Sequence, residues 1–262
     1  MDSHYVERNF KFRDNFFFVE TAPRNSGKSH FIYVFLRSAH ARKYPTIYYL
    51  STSLNLNHDI DEFLDDPRFK FYEEITKDII NTIFNEMRDC KAKVVARERH
   101  IKKKENQLGY SFRRRRKQRC PENLLILDDA IDSGVFNFRG VVDKIAERGR
   151  HVNLSCIISA QRLSSVSRSI RINADYFMIF LPFDMQEIEQ FLERFVPKSS
   201  RKLAAIWIEE IFNSEFYFIM VDNTERQIKN KLKAGKAELL LSHGKYSTFR
   251  EFEESVTGNM EE

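Results

Sequence analysis

The ten residues TAPRNSGKSH, Thr21 to His30, follow the apolar run FFFV and precede FIYVFL, so a buried strand passes through a short loop into a helix. Backbone N–H groups of such a loop, together with the unpaired N–H groups at the start of the helix, point at phosphate oxygens. A lysine at the penultimate motif position reaches the β- and γ-phosphates, and a hydroxyl after it can ligate magnesium. Lys28 and Ser29 stand at those positions, and Gly27 stands where the chain must come closest to phosphate. The usual pattern G-x-x-x-x-G-K-[ST] is met except at its first position, where Ala22 replaces glycine. A methyl fits there if φ is negative. The candidate nucleotide-binding set is therefore Ala22, Pro23, Arg24, Asn25, Ser26, Gly27, Lys28, Ser29 and His30. The plain alternative is an ordinary strand-to-helix turn capped by Ser26.

A second constellation lies about a hundred residues on. The apolar run LLIL ends in Asp128 and Asp129. In a nucleotide hydrolase the first acid serves the magnesium ion, and the second orients and deprotonates the attacking water. Taken without the loop, the pair reads equally well as strand-terminal aspartates capping a turn. Gln161, ending the strand-like CIISAQ, is the third candidate. If its strand lies between the loop strand and the acid strand, its amide faces the γ-phosphate and can sense hydrolysis.

These residues need a scaffold of buried strands joined by helices. NFFFVE, TIYYLS, NLLILD, LSCIISAQ, ADYFMIFL and EFYFIMVDN read as strands, the last of them as the final one. Continuous apolar runs such as Leu124–Leu127 are expected of parallel strands covered on both faces. Between them, a helix of roughly four turns follows Ser26. Another carries Ile75, Ile79, Ile83 and Met87 at a spacing of four, and VVDKIAERGRHVN, MQEIEQFLERFVP and SRKLAAIWIEEIFN supply three more. Alternating strands and helices predict an α/β domain with a mostly parallel sheet. We assign residues 1–229 to that single domain and 230–262 to a C-terminal tail of unknown role.

The 262 residues, 42% apolar with 24 Phe and only 8 Gly and 6 Pro, are enough for a full core and argue against long linkers. The net charge of +5 is unevenly spread: 14 Lys and Arg stand against 3 Asp and Glu between Arg88 and Arg119, so the rest of the chain is net acidic. That segment, helical in its first half and irregular around LGYSFRRRRKQRCP, is the candidate polyanion contact, through Lys102, Lys103, Lys104, Arg113, Arg114, Arg115, Arg116 and Lys117. A nuclear-targeting patch or a solvated insertion would have the same composition. The three cysteines, Cys90, Cys120 and Cys156, have neither the number nor the spacing of a disulfide framework or zinc site, which predicts a reducing compartment. The apolar runs are too short to span a bilayer.

APRNSGKS, LLILDD and DKIAERGRHVNLSCIISAQRLSSVSRSIRINADYFMIFL resemble the FtsK–HerA superfamily of DNA-pumping ATPases over residues 14–222, and within it the poxvirus-type genome-packaging ATPases of large DNA viruses. The resemblance implies a P-loop NTPase of the additional-strand (RecA-like) type that binds ATP and Mg²⁺. Lys28, Ser29, Asp128, Asp129 and Gln161 match its functional positions one by one. Asp129 stands where cellular relatives more often have glutamate. The resemblance further implies a pentameric or hexameric ring in which an arginine completes the neighbouring site, with Arg148 and Arg150 as candidates. The implied partners are double-stranded DNA and a capsid-vertex or membrane-associated virion protein, and the implied location is the host cytoplasm, viral factory or virion. Other P-loop enzymes, such as a nucleoside kinase or helicase, and a nucleic-acid-binding structural protein with a degenerate site are the alternatives.

Overall fold

In the computed structural model, strand-forming residues pair into one sheet with helices on both faces. The structure describes residues 6–7, 10–23, 26–54, 58–109, 119–130, 135, 140–180, 185–212, 217–225, 231–236, 239–241 and 245–258. The strands are β1 (Val6–Glu7), β2 (Phe17–Thr21), β3 (Ile47–Ser51), β4 (Phe69–Tyr72), β5 (Asn123–Asp128), β6 (Leu154–Ala160), β7 (Tyr176–Phe180), β8 (Tyr217–Asp222), β9 (Leu232–Lys236) and β10 (Lys245–Thr248). Their order across the sheet is β1-β10-β9-β8-β7-β2-β6-β5-β3-β4. From β7 to β4 every neighbouring pair is parallel, and from β7 to β1 every pair is antiparallel.

Alternation within the apolar runs explains the two-sided core. Phe17, Val19, Leu125, Leu127, Cys156 and Ile158 pack on one face, and Phe16, Phe18, Leu124, Ile126 and Ile157 on the other. The second face is covered by α1 (Lys28–Arg37), whose Phe31, Ile32 and Phe35 are fully buried, and by a cluster of aromatic rings around Phe12. The first face receives α2 (Lys77–Leu108), α3 (Val141–Arg148), α4 (Arg168–Asn173), α5 (Met185–Phe195), α6 (Arg201–Phe212) and α7 (Phe249–Gly258).

Four features differ from the sequence reading. The helix after the loop is shorter, since its last carbonyls are taken at Ser38, whose N–H and hydroxyl both donate to Phe35 O. β4 is not among the strands read from the sequence: Phe69 and Phe71 alternate with Lys70 on an edge strand beside β3. β8 is not the last strand: β9 and β10 extend the sheet from it, with Lys233 in β9 buried and ion-paired to Asp222 in β8. Finally, Cys90 and Cys120 form a disulfide that number and spacing did not indicate, which removes the ground for expecting a reducing compartment. The remaining thiol, Cys156, is buried in β6.

The disulfide brackets the basic segment. Only Ile80 and Ile83 near its start anchor α2 as fully buried residues, whereas Lys102, Lys103 and Lys104 are exposed on its distal part. The helix is about 48 Å long at 1.5 Å per residue, and it closes on Gly109 in the left-handed conformation. Thiol titration of the denatured chain is expected to give one reactive group before reduction and three after it. Three before reduction would rule the bridge out.

Candidate functional site

β2 delivers the loop to the carboxyl edge of the parallel strands, where the ends of β5 and β6 also lie. Ala22 is buried, its N–H donates to Ala160 O at 3.0 Å, and its methyl joins the α1-side core. Among the described residues the non-glycine positions with positive φ are Asn15, Asp129 and Asn153, so Ala22 keeps an ordinary backbone and needs no glycine. Gly27 has φ 103°, a conformation L side chains rarely adopt, so glycine is required there.

The alternative of a Ser26-capped turn does not hold. Gly27 is the cap residue of α1, its first turn has no side-chain cap and no acid, and the Ser26 hydroxyl donates instead to Pro23 O at 2.6 Å. The leading N–H groups of α1 therefore meet no competing side-chain acceptor, which suits an anion. Lys28 is buried, with its ammonium on Ala22 O at 3.0 Å, folded back on the loop it belongs to. Ser29 is half-buried and His30 exposed on the same helical turn. Pro23 is half-buried at the loop's entrance, and Arg24 and Asn25 lie outside the described residues.

The order β2-β6-β5 puts the strand ending before Gln161 between the loop strand and the acid strand, as the sequence reading required. Gln161 Nε2 donates to Asp129 Oδ1 at 2.6 Å. Asp129 has φ 55°, which aspartate tolerates better than most residues, and this turn out of β5 separates the two acids. Asp128 stays on the strand, buried, accepting from the Tyr49 hydroxyl at 2.8 Å. Burial raises its pKa, against the opposing hydrogen bond from Tyr49.

Sequence reasoning missed one charged member of this cluster. Glu20 in β2 is fully buried beside the loop, and neither of its carboxyl oxygens has a hydrogen-bond partner; the Ser159 hydroxyl is likewise unpartnered. Burial, then proximity to Asp128, pushes the Glu20 pKa well above the usual carboxylate range, with Lys28 opposing. Its signal was an acid within the apolar strand NFFFVE. A divalent cation entering with a triphosphate fits this donor set: the Ser29 hydroxyl and the Asp128 carboxylate are hard ligands of the type magnesium prefers, and unpartnered buried oxygens lie behind them.

Other predicted residues are not brought here. Arg148 and Arg150 are exposed at the end of α3 and in the turn before β6, at the opposite edge of the sheet from their own phosphate loop. Lys102, Lys103 and Lys104 lie on distal α2, and Arg113, Arg114, Arg115, Arg116 and Lys117 fall outside the described residues. No helix among the described residues is long and apolar enough to cross a membrane.

No family model and no curated protein matches the sequence. Solved structures do. The genome packaging NTPase B204 from Sulfolobus turreted icosahedral virus 2, in complex with ATP-gammaS, aligns with TM-score 0.53 at 15% identity, covering 86% of this chain and 98% of that one. The DNA-packaging ATPase B204 from Sulfolobus turreted icosahedral virus aligns with TM-score 0.52 at 17% identity and the same coverage. ATPases 2 and 3 of EssC from Geobacillus thermodenitrificans align with TM-score 0.53 at 15% identity, over 95% of this chain and 43% of that one. The chain thus shares the α/β fold of these ATPases, with its mostly parallel sheet flanked by helices.

Proposed function

We propose that this chain is an ATP hydrolase that, as one subunit of a ring, drives double-stranded DNA in the packaging of a viral genome. One observation carries the reading: the amide of Gln161 meets Asp129 at the carboxyl edge beside the loop that bears Lys28. A sensor amide paired to the second acid suits a hydrolase, in which a water must be held in line with the γ-phosphate. A bare nucleotide-binding fold does not need it. The likeness in fold to two viral packaging ATPases supports the choice of substrate and of work.

In this reading the α1 N–H groups and Lys28 hold the β- and γ-phosphates, and Lys28 leaves Ala22 O to do so. Asp129 takes the proton of the attacking water, and Gln161 reports whether the γ-phosphate is present. Magnesium, held by Ser29 and Asp128, would neutralise charge developing on the phosphate oxygens. Arg148 and Arg150, exposed and remote from their own loop, are the candidates to complete a neighbouring subunit's site, where positive charge stabilises the transition state. The basic distal half of α2 tracks DNA phosphates without reading sequence. This work implies the host cytoplasm, where the Cys90–Cys120 pair is expected to stay reduced until the protein meets oxidising surroundings.

The test is hydrolysis of ATP by the purified chain, with a rate that rises on adding double-stranded DNA. DNA binding without turnover would leave a structural nucleic-acid-binding protein instead. Replacing Lys102, Lys103 and Lys104 with glutamine is expected to weaken binding equally for all DNA sequences. It should also reduce the slope of log affinity against log salt by about 3, at ~0.9 per phosphate contact. An unchanged slope would move the DNA contact off α2.

A further inference from the structure

The scheme above gives no work to Glu20, yet the fold tolerates it at a position where an acid is costly. It lies in the middle of the sheet, with Phe18 and Ala22 on the same face of its strand both fully buried in the apolar cluster under α1. Both its oxygens lack partners, and a buried polar group without a partner destabilises a fold unless something intermittently satisfies it. The strand register says what that something is. Glu20 is paired with Ser159 across β2 and β6, and Leu127 with Ile158 across β6 and β5. One step further along β5, Asp128 therefore stands beside Ser159. Ser51 is the partner of Asp128 across β3.

Four polar side chains, Ser51, Asp128, Ser159 and Glu20, thus form a row across four parallel strands at the end where the loop sits. Ser159 is the hydroxyl within reach of both acids. One oxygen of Asp128 accepts from Tyr49, which holds it from the β3 side. On the β6 side the Ser159 hydroxyl and the Glu20 carboxyl stand close by, without a hydrogen bond of ordinary geometry.

We infer that Glu20 is a positioning residue for the cation end of the site, acting across Ser159 to orient Asp128 when a metal–nucleotide complex enters. This rests on the reading of the site as one for a triphosphate with a divalent cation. Groups behind a metal-binding carboxylate commonly set metal affinity by about 10–100-fold. The orphaned oxygens of the resting chain are then the cost of a hydrogen-bond path completed only in the loaded state.

The experiment measures affinity for a fluorescent, non-hydrolysable AMPPCP with Mn²⁺ and with chelator, alongside thermal unfolding of the nucleotide-free chain. In Glu20→Leu the gain in affinity due to Mn²⁺ is expected to fall about 10-fold or more. Affinity in chelator should be unchanged, and the melting temperature should rise, because an unsatisfied buried acid has been removed. A purely structural role cannot move the two readouts in opposite directions. Glu20→Gln, which keeps a donor and an acceptor, is expected to stay within about threefold of the natural chain, and Ser159→Ala to follow Glu20→Leu. Unaltered Mn²⁺ coupling in Glu20→Leu overturns the inference and leaves the ATPase reading standing. So does a Glu20→Gln as defective as Glu20→Leu, which would make the glutamate a charged ligand. A natural chain that gains no affinity from Mn²⁺ overturns both.

Discussion

Asp129→Asn is expected to lower the kcat for ATP hydrolysis by about 10²–10⁴-fold, the usual contribution of a positioned general base, while KM for ATP changes little. The substitution is unusually clean at this position. Asp129 occupies the left-handed backbone region at φ 55°, and asparagine is one of the few residues that accepts it as readily. The turn separating the two acids is therefore retained. Asparagine also keeps an oxygen to accept from Gln161 Nε2, so the contact that links the acid to the strand beside it need not break. What is lost is the ability to take a proton from water. Single-turnover hydrolysis on preformed complexes isolates that step from binding and release. Turnover at the natural rate would show that the base is another group, and would remove the chemical reason for the Asp129–Gln161 contact.

Lys28→Ala is expected to reduce both binding and turnover, with kcat lower by about 10²–10³-fold and KM raised, since the ammonium faces phosphate in the ground state as well as the transition state. In the resting chain this amine donates to Ala22 O at 3.0 Å and is buried, so its removal frees one carbonyl at the loop's entrance and leaves the α1 apolar face untouched. Steady-state kinetics with a thermal unfolding control separates the loss of chemistry from loss of fold. DNA affinity in the absence of nucleotide should be unaltered, because the basic part of α2 lies away from the loop. Hydrolysis within tenfold of the natural rate would place phosphate binding elsewhere.

Much of the site was legible because its chemistry needs residue types at fixed places in a strand–loop–helix unit. Gly27, Lys28 and Ser29 announce the loop, and an apolar run that ends in acids announces a strand tip. The placement of β6 between β2 and β5 was stated as a condition on Gln161, and the sheet order meets it. Ala22 was legible as a tolerated exception only if φ were negative, which it is.

What escaped the sequence depends on contacts between distant residues. Glu20 is significant because Ser159 and Asp128 lie next to it across the sheet, and no spacing in one chain reports that. β9, with sequence LKAGK, has weak intrinsic strand preference and forms because β8 offers an edge and Asp222 a partner for Lys233. The cysteines of the disulfide are thirty positions apart, with Cα atoms at 6.1 Å, a proximity created where β5 returns past the first half of α2.

That bridge also changes the connectivity of the molecule. Residues 90 to 120 form a closed covalent ring hung on the α/β fold, so a peptide bond cut anywhere within it leaves both halves of the polypeptide joined through sulfur. The most positively charged part of the protein can be nicked without the molecule coming apart into two chains, for as long as the surroundings remain oxidising.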